Sequence, residues 1–450
     1  MNGIKRRHFL KIIGAVPAAS ITAGSSLLSG CGDKSQQAAD ADTTTAAPAV
    51  GKSAARVVVI GGGFGGATAA KYIRKFGPDI DVTLVEPKQA FVTCPGSNWV
   101  IGGLRQMDFI THSYDPLKNV HGVNVVHDRV TAIDADRQSV KLQGGGSLAY
   151  DRLIVSPGIS FRDNVEGYTG AAMEKMPHAW HGGAQTALLR QQLEAMPDGG
   201  TVLMAAPPDP FRCPPGPPER ASMIAHYLNK YKPKSKLLIL DAKDKFSKQG
   251  LFIEGWEKHY GYGTDNALIE WIPSTSDGAV RAVDVAGMKA ITEFGEHKGD
   301  VINIIPAQRA GDIAARAGLT DASGWCPVNQ QTWESTLMKN IHVIGDAAVQ
   351  APLPKSGYAA NSEAKVCAAN VVQLLQDKPL LDPNWINTCY SLVTPEYGIS
   401  VAMVYNLVEG KVAKVDGAGG VSPSNDPAGR PLEARYAVDW YQNITYDIFG

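Results

Sequence analysis

The stretch that decides the fold runs from Val57 to Glu86 and reads VVVIGGGFGGATAAKYIRKFGPDIDVTLVE. It begins with an apolar segment typical of a strand, which leads directly into a turn of the pattern GxGxxG. A helix is predicted from Ala67 to Phe76, and a second apolar strand then ends on Glu86, 20 residues after the last glycine. This order of strand, glycine-rich turn, helix and strand is typical of a dinucleotide-binding unit.

Each glycine of this turn has a physical task in holding a dinucleotide. Gly61 permits the tight turn, and Gly63 lets the backbone approach a pyrophosphate. Gly66 permits close packing of the helix on the strand, and the helix N-terminus attracts the phosphate charge. Glu86 is placed to accept hydrogen bonds from ribose hydroxyls. We therefore predict Gly61, Gly63, Gly66 and Glu86 as cofactor-binding residues.

A second motif lies closer to the end of the chain. Residues 340–346 read NIHVIGD, a strand that ends in Gly-Asp, and resemble the second fingerprint of FAD-binding proteins, in which the aspartate binds the ribityl chain. With Glu86, this motif makes FAD the predicted cofactor and Asp346 one of its ligands. Val130, in the strand-forming segment 123–134, is predicted to belong to the same site.

Strand and helix signals alternate along most of the chain, which favours α/β layers. A second unit of strand, helix and strand is predicted over 201–205, 219–230 and 236–241, and the Tyr- and Trp-rich tail predicts a small third domain. We predict an α/β fold with two Rossmann-like dinucleotide-binding domains, arranged as in glutathione reductase, and a small C-terminal α+β domain. The predicted boundaries are 55–165 and 291–378 for the two parts of the FAD-binding domain, 166–290 for the second Rossmann-like domain, and 379–450 for the C-terminal domain.

The turn of the second unit differs sharply from that of the first. After its first strand the chain reads APPDPFRCPP, from Ala206 to Pro215, where a glycine-rich turn is expected. Prolines lack the N–H groups that bind a pyrophosphate, and their rings block its approach. The second unit is therefore predicted to keep the fold without binding NAD(P).

Composition and the N-terminus predict where the protein works. A net charge of −1 over 450 residues gives no footprint for nucleic acid. Residues 1–31 combine twin arginines, an apolar stretch and Leu28-Ser29-Gly30-Cys31, which resembles a twin-arginine (Tat) export signal with a lipobox. Cys31 is the predicted lipidation site, with ordinary signal cleavage as the alternative, and 32–54 is a predicted flexible linker. We expect a periplasmic lipoprotein anchored to a membrane.

The five remaining cysteines are the candidates for redox chemistry. Cys94 follows Glu86 by eight residues, in the segment that runs under the ring in flavoproteins with two dinucleotide domains. A cysteine there forms a thioether to the flavin, serves as a redox thiol on its face, or is a packed free thiol. The others are Cys213, Cys326, Cys367 and Cys389, which allow six pairings. Cys367 lies among alanines and valines and is predicted to pack in the core.

The chain resembles the flavoprotein subunit of flavocytochrome c sulfide dehydrogenase and, more distantly, the sulfide:quinone oxidoreductases. The resemblance covers about 55–450. Beyond VVVIGGGFGG it rests on the TC…SN…IGG block (93–103), CPPGPPERAS (213–222), CPVNQQTWES (326–335), VIGDAAVQAPLPKSGYAANSEAK (343–365) and INTCYSLVTPEYGISV (386–401). Pro95-Gly96 departs from the bulkier residues expected in some relatives.

This resemblance implies roles for individual residues. Cys94 matches the cysteine that holds FAD covalently, and Cys213 and Cys389 match the two halves of a redox-active disulfide, with Cys326 as the competitor of Cys389. Glu219 matches an acid that handles protons near the disulfide. Apart from these matches, the mechanism predicts a cation near the flavin that holds the anionic reduced ring, either Lys355 or Arg212.

The implied activity is that of a sulfide dehydrogenase. Hydrosulfide attacks the disulfide, two electrons pass into FAD, and sulfur leaves as elemental sulfur, polysulfide or a persulfide. The chain has no Cys-x-x-Cys-His, so no haem is predicted in it, and a separate c-type cytochrome subunit is the implied electron acceptor. No metal site is predicted.

Three other functions remain open at this level. A sulfide:quinone oxidoreductase requires a membrane-inserting C-terminus, but the tail here is polar. An NADH-dependent disulfide reductase is disfavoured by the prolines of the second turn. A non-catalytic flavin lipoprotein that relays electrons is disfavoured by the cysteine pair.

Overall fold

A computed structural model describes residues 54–450. The predicted export signal with Cys31, and nearly all of the predicted linker, lie outside the described residues. Two parallel sheets, each covered by helices, form the body of the described part. This arrangement follows from strands such as Arg56–Ile60, in which four of five residues are buried and which therefore pack on both faces of the sheet.

The first sheet contains five parallel strands. Their order across the sheet is Ile341–Val343, Arg152–Val155, Arg56–Ile60, Asp81–Val85 and Asn124–Val126. The chain leaves this sheet after Arg152–Val155 and returns to it only with Ile341–Val343. The two predicted flavin fingerprints therefore end at the same edge of one sheet, because they follow parallel strands.

The second sheet contains four parallel strands, in the order Ile269–Ile272, Lys236–Asp241, Thr201–Ala206 and Val301–Ile304. Short antiparallel sheets accompany the two parallel ones. They consist of Val130–Asp134, Ser139–Leu142 and Ser147–Ala149; Ala282–Asp284, Lys289–Ile291 and Glu296–Lys298; Ile159–Phe161 and Gln308–Ala310; Ala90–Val92 and Thr111–Ser113.

The end of the chain forms a three-stranded antiparallel sheet and a long helix. The strands are Asn384–Thr394, Tyr397–Val408 and Lys411–Val421. The α-helices of the described residues are Phe64–Phe76, Ser97–Ile101, Asp115–Asn119, Gly170–Met173, Ala184–Ala195, Gly216–Tyr231, Gln249–Tyr260, Asp312–Arg316, Gly357–Leu375 and Gly429–Phe449, with short 3₁₀ turns at Met107–Ile110, Ser274–Ser276 and Gly345–Ala347.

These elements confirm the predicted fold class of two Rossmann-like units and a small C-terminal sheet domain. The predicted domain boundaries stay a prediction. One helix begins earlier than expected: Phe64–Phe76 takes Gly65 and Gly66 into its first turn. Glycine is a poor helix former, so the sequence pattern placed the start after the glycines.

Candidate active site

The turn after the first strand has the shape that its glycines predict. Gly61 has a φ of +94°, and a Cβ placed there would lie 2.4 Å from the carbonyl oxygen of Ser156. A Cβ on Gly66 would lie 1.8 Å from the carbonyl oxygen of Gly61. A side chain at either position requires the backbone to move, so the close approach of turn, helix and strand depends on glycine.

Glu86 lies beside this turn. Its carboxylate accepts hydrogen bonds from the backbone N–H of Gly62 at 2.9 Å and of Lys88 at 3.0 Å. A cavity of about 290 Å³ opens here, and its lining includes Gly61, Glu86 and Val130. The structure therefore brings three of the predicted cofactor-binding residues together around one space.

The second fingerprint places Asp346 in the 3₁₀ turn that follows the Ile341–Val343 strand. One carboxylate oxygen lies 3.8 Å from Nη1 of Arg212, and the other is buried without a hydrogen-bond partner among the described residues. Burial raises the pKa of Asp346 from its ordinary value. A buried acceptor without a donor is costly, and a ligand hydroxyl would satisfy it.

Lys355 is held close to Asp346 by backbone groups. Its ammonium donates to the carbonyl oxygens of Asp346 and Ala348, both at 2.8 Å, and lies 3.8 Å from the centre of the Trp325 ring. Burial lowers the pKa of Lys355 to about 8. The carbonyl oxygen of Lys355 accepts from the N–H of Cys213 at 2.6 Å, which links the second fingerprint to the first predicted redox cysteine.

These observations fit FAD. The glycine turn allows a pyrophosphate to approach, the Glu86 carboxylate suits a ribose diol, and the unpartnered oxygen of Asp346 suits a ribityl hydroxyl. Gly61, Gly63, Gly66, Glu86, Val130 and Asp346 are the residues that would hold it.

Cys94 lies between the strand Ala90–Val92 and the helix Ser97–Ile101, and its side chain is partly exposed. The Pro95-Gly96 departure has a local reason. Gly96 has a φ of +80° and caps the helix, and a Cβ there would lie 3.1 Å from the side chain of Ile110. A larger residue would be strained at this position.

Cys213 and Cys389 lie in one neighbourhood but are free thiols in this structure, so the predicted disulfide is not formed in it and their pairing stays a prediction. Cys213 has a φ of +59°, an uncommon backbone conformation for a side chain of this kind. Burial, followed by the negative charges of Cys94, Cys389 and Glu219, raises the pKa of Cys213 well above its ordinary value. Cys389 lies on the strand Asn384–Thr394, and burial raises its pKa too.

Glu219 joins the elements that carry these cysteines. One oxygen accepts from Nε1 of Trp99 at 3.2 Å and from the N–H of Leu392 at 3.0 Å, and the other accepts from Nδ2 of Asn98 at 3.0 Å. Burial raises the pKa of Glu219, while these donors act in the opposite direction. Glu219 is thus close to the cysteines and also connects three segments of the site.

Arg220 is a site residue that sequence reasoning missed. It is fully buried, and its guanidinium donates only to neutral acceptors among the described residues: Asn98 Oδ1, Asn303 Oδ1 and the carbonyl oxygens of His178 and Ala179. The contact from Arg220 fixes the orientation of the Asn98 amide, which then presents its NH₂ group to Glu219. The only sequence signal was the position of Arg220 directly after Glu219.

Lys248 is a second residue that the sequence did not indicate. It immediately precedes the helix Gln249–Tyr260, and its ammonium donates to Oγ of Ser391 at 3.0 Å. Burial lowers the pKa of Lys248, and the nearby charges of Cys389, Glu219 and Cys213 act in the opposite direction. No motif contains this lysine, because only the folded chain brings it to the cysteines.

The other two cysteines are in hydrophobic clusters. Cys326 is fully buried, and burial raises its pKa to about 12. Cys367 is fully buried between the first sheet and its helices, which confirms its predicted place in the core.

In each Rossmann-like unit, the space at the ends of the parallel strands, where a dinucleotide would bind, is called the mouth below. In the second unit this mouth is filled by side chains. Only about 10 Å³ remains between Phe211, Pro217, Asp241 and their neighbours. Asp241, at the end of the second strand, accepts from Nζ of Lys243 at 2.6 Å and from Nε1 of Trp271 at 3.1 Å. A carboxylate in the position of a ribose acceptor is therefore paired within the protein.

Comparisons with known proteins agree with this arrangement. The family of the sulfide dehydrogenase (flavocytochrome c) flavoprotein chain, central part, matches residues 186–306, and that of the flavocytochrome c sulphide dehydrogenase, flavin-binding, matches residues 381–449. The pyridine nucleotide-disulphide oxidoreductase family matches residues 55–193. Among residues 54–450, no helix is long and apolar enough to cross a bilayer.

Individual relatives point the same way. A sulfide dehydrogenase (flavocytochrome c) flavoprotein chain from Chlorobaculum thiosulfatiphilum is 76% identical over 45 residues, which are 10% of this chain and 94% of that relative. A sulfide-quinone reductase from Aquifex aeolicus is 23% identical over 351 residues, which are 72% of this chain and 78% of the relative.

The crystal structure of the Aquifex aeolicus sulfide:quinone oxidoreductase has the same fold, with a TM-score of 0.70 at 20% identity over 88% of this chain and 92% of that one. The chain belongs to the family of flavocytochrome c sulfide dehydrogenase flavoprotein chains, which are flavin-dependent sulfide oxidoreductases.

Proposed function

We propose that this chain oxidises hydrosulfide with FAD through a disulfide between Cys213 and Cys389, and that it passes the electrons to a c-type cytochrome. The observation that carries the proposal is the convergence of Cys94, Cys213 and Cys389 beside Glu219, next to the turn that contains Asp346. Three thiols from distant parts of the chain meet at the edge of the flavin fold. Attack by hydrosulfide requires that two of these sulfurs, those of Cys213 and Cys389, pair as a disulfide.

The residues of the chain carry the sulfur chemistry. Hydrosulfide attacks one sulfur of the disulfide, which becomes a persulfide, and the other sulfur is released as a thiolate. Glu219 accepts the proton of the persulfide, since its carboxylate has a raised pKa beside the cysteines. FAD, when bound, supplies the acceptor for two electrons. Cys94 would attach the flavin through a thioether, and the ammonium of Lys355, beside Asp346, would favour negative charge on the flavin.

Two observations support a c-type cytochrome as the electron acceptor: the filled mouth of the second Rossmann-like unit and the family to which the chain belongs. The filled space at the second Rossmann-like unit supports the proposal that the chain has no NAD(P) site and does not exchange electrons with nicotinamide. The sequence contains no haem-attachment motif, so the one-electron acceptor is a separate subunit.

The location remains part of the proposal. The twin arginines and the lipobox at Cys31 support export by the twin-arginine route and a lipid anchor on the periplasmic side of a membrane. Intact mass after acid precipitation tests this point together with the thioether. A mass without acyl chains would contradict the anchor, and a mass without retained FAD would contradict the link to Cys94.

The disulfide route is tested with Cys213→Ser. We expect flavin reduction by sulfide, followed in a stopped-flow spectrometer, to slow by about a hundredfold or more, because the attacked bond is gone. Cys326→Ala is the matched control and should reduce at the wild-type rate. Undiminished reduction in Cys213→Ser would exclude the route.

The same instrument separates the rival functions. Bleaching of the flavin by NADH would indicate a disulfide reductase, and no response to sulfide would indicate a relay or scaffold. Faster reoxidation by a ubiquinone analogue than by a c-type cytochrome would indicate a quinone reductase.

A further inference from the structure

The position of Lys248 is tied to the strand that carries Cys389. The ammonium of Lys248 donates to Ser391 Oγ at 3.0 Å. Ser391 lies two residues beyond Cys389 in a stretch of regular antiparallel pairing, from Cys389 opposite Val401 to Ser391 opposite Ile399. Residues two apart on a strand point to the same face, so Lys248 lies on the face of the sheet from which the Cys389 sulfur projects.

Lys248 forms no salt bridge with a carboxylate among residues 54–450. Its one hydrogen-bond partner among residues 54–450 is the neutral hydroxyl of Ser391. The groups whose negative charges act on it are Cys389, Glu219, Cys213 and Glu433. Lys248 caps the start of the helix Gln249–Tyr260 with a φ of +59°, which is uncommon for a residue with a side chain, and it is partly exposed.

The other positively charged side chains of the site have partners other than Cys389. The Arg220 guanidinium is enclosed by neutral acceptors, and the Lys355 ammonium is held by two carbonyl oxygens. Arg212 lies next to Asp346. Lys248 is the cation whose charge acts on Cys389, and Cys213, Glu219 and Tyr405 are the other titratable neighbours of that thiol.

We propose that Lys248 is a positioning residue that holds the thiolate of Cys389 and thereby sets the direction of the disulfide exchange. This inference rests on the proposed function. Hydrosulfide forms a bond to the sulfur of Cys213, the bond between Cys213 and Cys389 breaks, and its electron pair leaves with Cys389. The thiol with the lower pKa is the better leaving group, and an ammonium beside Cys389 favours its anionic form.

The test compares Lys248→Met and Lys248→Arg with Lys245→Met, a control that removes an exposed lysine from the same loop. Two measurements are made on the purified flavoprotein. The first is flavin reduction by sulfide at pH 7 in a stopped-flow spectrometer. The second is alkylation of Cys389 by iodoacetamide from pH 7 to 9.5 in the fully reduced protein, with the modified cysteine located by mass spectrometry.

We expect Lys248→Met to slow both reactions about tenfold. A neighbouring positive charge lowers the pKa of a thiol by about one unit or more, so its removal reduces the thiolate fraction by about tenfold. Lys248→Arg should stay within about threefold of the wild type, because it keeps the charge. Lys245→Met should behave as the wild type. The arginine variant distinguishes loss of charge from loss of packing.

An unchanged pH profile of Cys389 alkylation in Lys248→Met would overturn the proposal, even if flavin reduction slowed. Equal losses in the Met and Arg variants would overturn it as well. The alkylation measurement uses no sulfide, so it decides the role of Lys248 even where Cys213→Ser has shown that the disulfide route is wrong.

Discussion

The two Rossmann-like units of this chain have the same order of elements, but the mouth of the first is open and that of the second is filled. In the first, the strand Arg56–Ile60 leads into glycines and a cavity of about 290 Å³. In the second, the strand Thr201–Ala206 leads into prolines and Phe211, and about 10 Å³ remains. Parallel strands and a following helix therefore do not make a nucleotide site by themselves. The side chains of one turn decide how much space is left at the edge of the sheet.

The acidic residues at the two mouths show the same contrast. Glu86 accepts from two backbone N–H groups and faces the open cavity. Asp241 is bound by Lys243 and Trp271 inside the filled one. A carboxylate after the second strand thus faces an open cavity in one unit and forms an ion pair within the protein in the other.

Among the changes that test the contrast between the two turns, Gly66→Ala, which crowds the first turn, is expected to have the largest effect on the protein. The added Cβ would lie 1.8 Å from the carbonyl oxygen of Gly61, so the helix must move away from the strand. We expect at least about a tenfold loss of bound flavin and a lower yield of folded protein. The flavin-to-protein absorbance ratio measures this.

Gly170→Ala is the control for that change. A Cβ at Gly170 meets no atom within 4 Å, so flavin content should stay at the wild-type level. Full flavin content in Gly66→Ala would mean that the first mouth tolerates crowding, and the contrast between the two turns would lose its physical basis.

The next effect comes from breaking the ion pair of the second mouth with Lys243→Met. Asp241 and Lys243 are both largely buried, so the variant leaves a carboxylate without its cation. We expect the free energy of unfolding to fall by about 3 kcal/mol, measured by urea denaturation. Asp241→Asn in the same chain should restore part of it.

This variant should not gain a reaction with NADH, because Phe211 and Pro217 still fill the mouth. Flavin bleaching by NADH in Lys243→Met would show that the ion pair alone closes the second unit. Unchanged stability would show that the pair contributes nothing to the fold.

The sequence predicted the parts of this contrast that depend on backbone chemistry. Glycines that permit a tight turn and prolines that lack N–H groups act locally. A few consecutive residues were therefore enough to predict that the first turn leaves space for a pyrophosphate and the second does not. Gly61, Glu86 and Asp346 also lie at the edge of the first sheet, as their motifs predict, since parallel strands bring the two fingerprints together.

The parts that depend on packing between distant segments were not readable. Arg220 and Asn98 are 122 positions apart and meet only in the fold. Lys248 reaches Ser391 across 143 positions, and no spacing rule connects them. The charge pattern around the cysteines therefore had to come from the structure, while the cysteines themselves were found through the resemblance.

The smallest effect is expected from a change at Glu363, a buried acid that contacts the turn of the second fingerprint, and it is measured as the pH dependence of stability. This residue is fully buried, one oxygen accepts from the N–H of Gly345 at 2.7 Å, and the other has no partner among the described residues. Burial raises the pKa of Glu363 to about 8. In the unfolded chain the group loses its proton near its ordinary, lower pKa, so the folded state binds the proton more tightly.

The stabilisation from this protonated acid is complete below the ordinary pKa and is lost as the pH rises to about 8. Glu363→Gln cannot ionise, so we expect its free energy of unfolding to fall less than that of the wild type between pH 5 and 8, by about 2 kcal/mol. Asp346 and Glu219 also have raised pKa values and should keep part of the slope. An unchanged slope would mean that Glu363 is already ionised, and that the first mouth, like the second, holds its buried carboxylate as a paired anion.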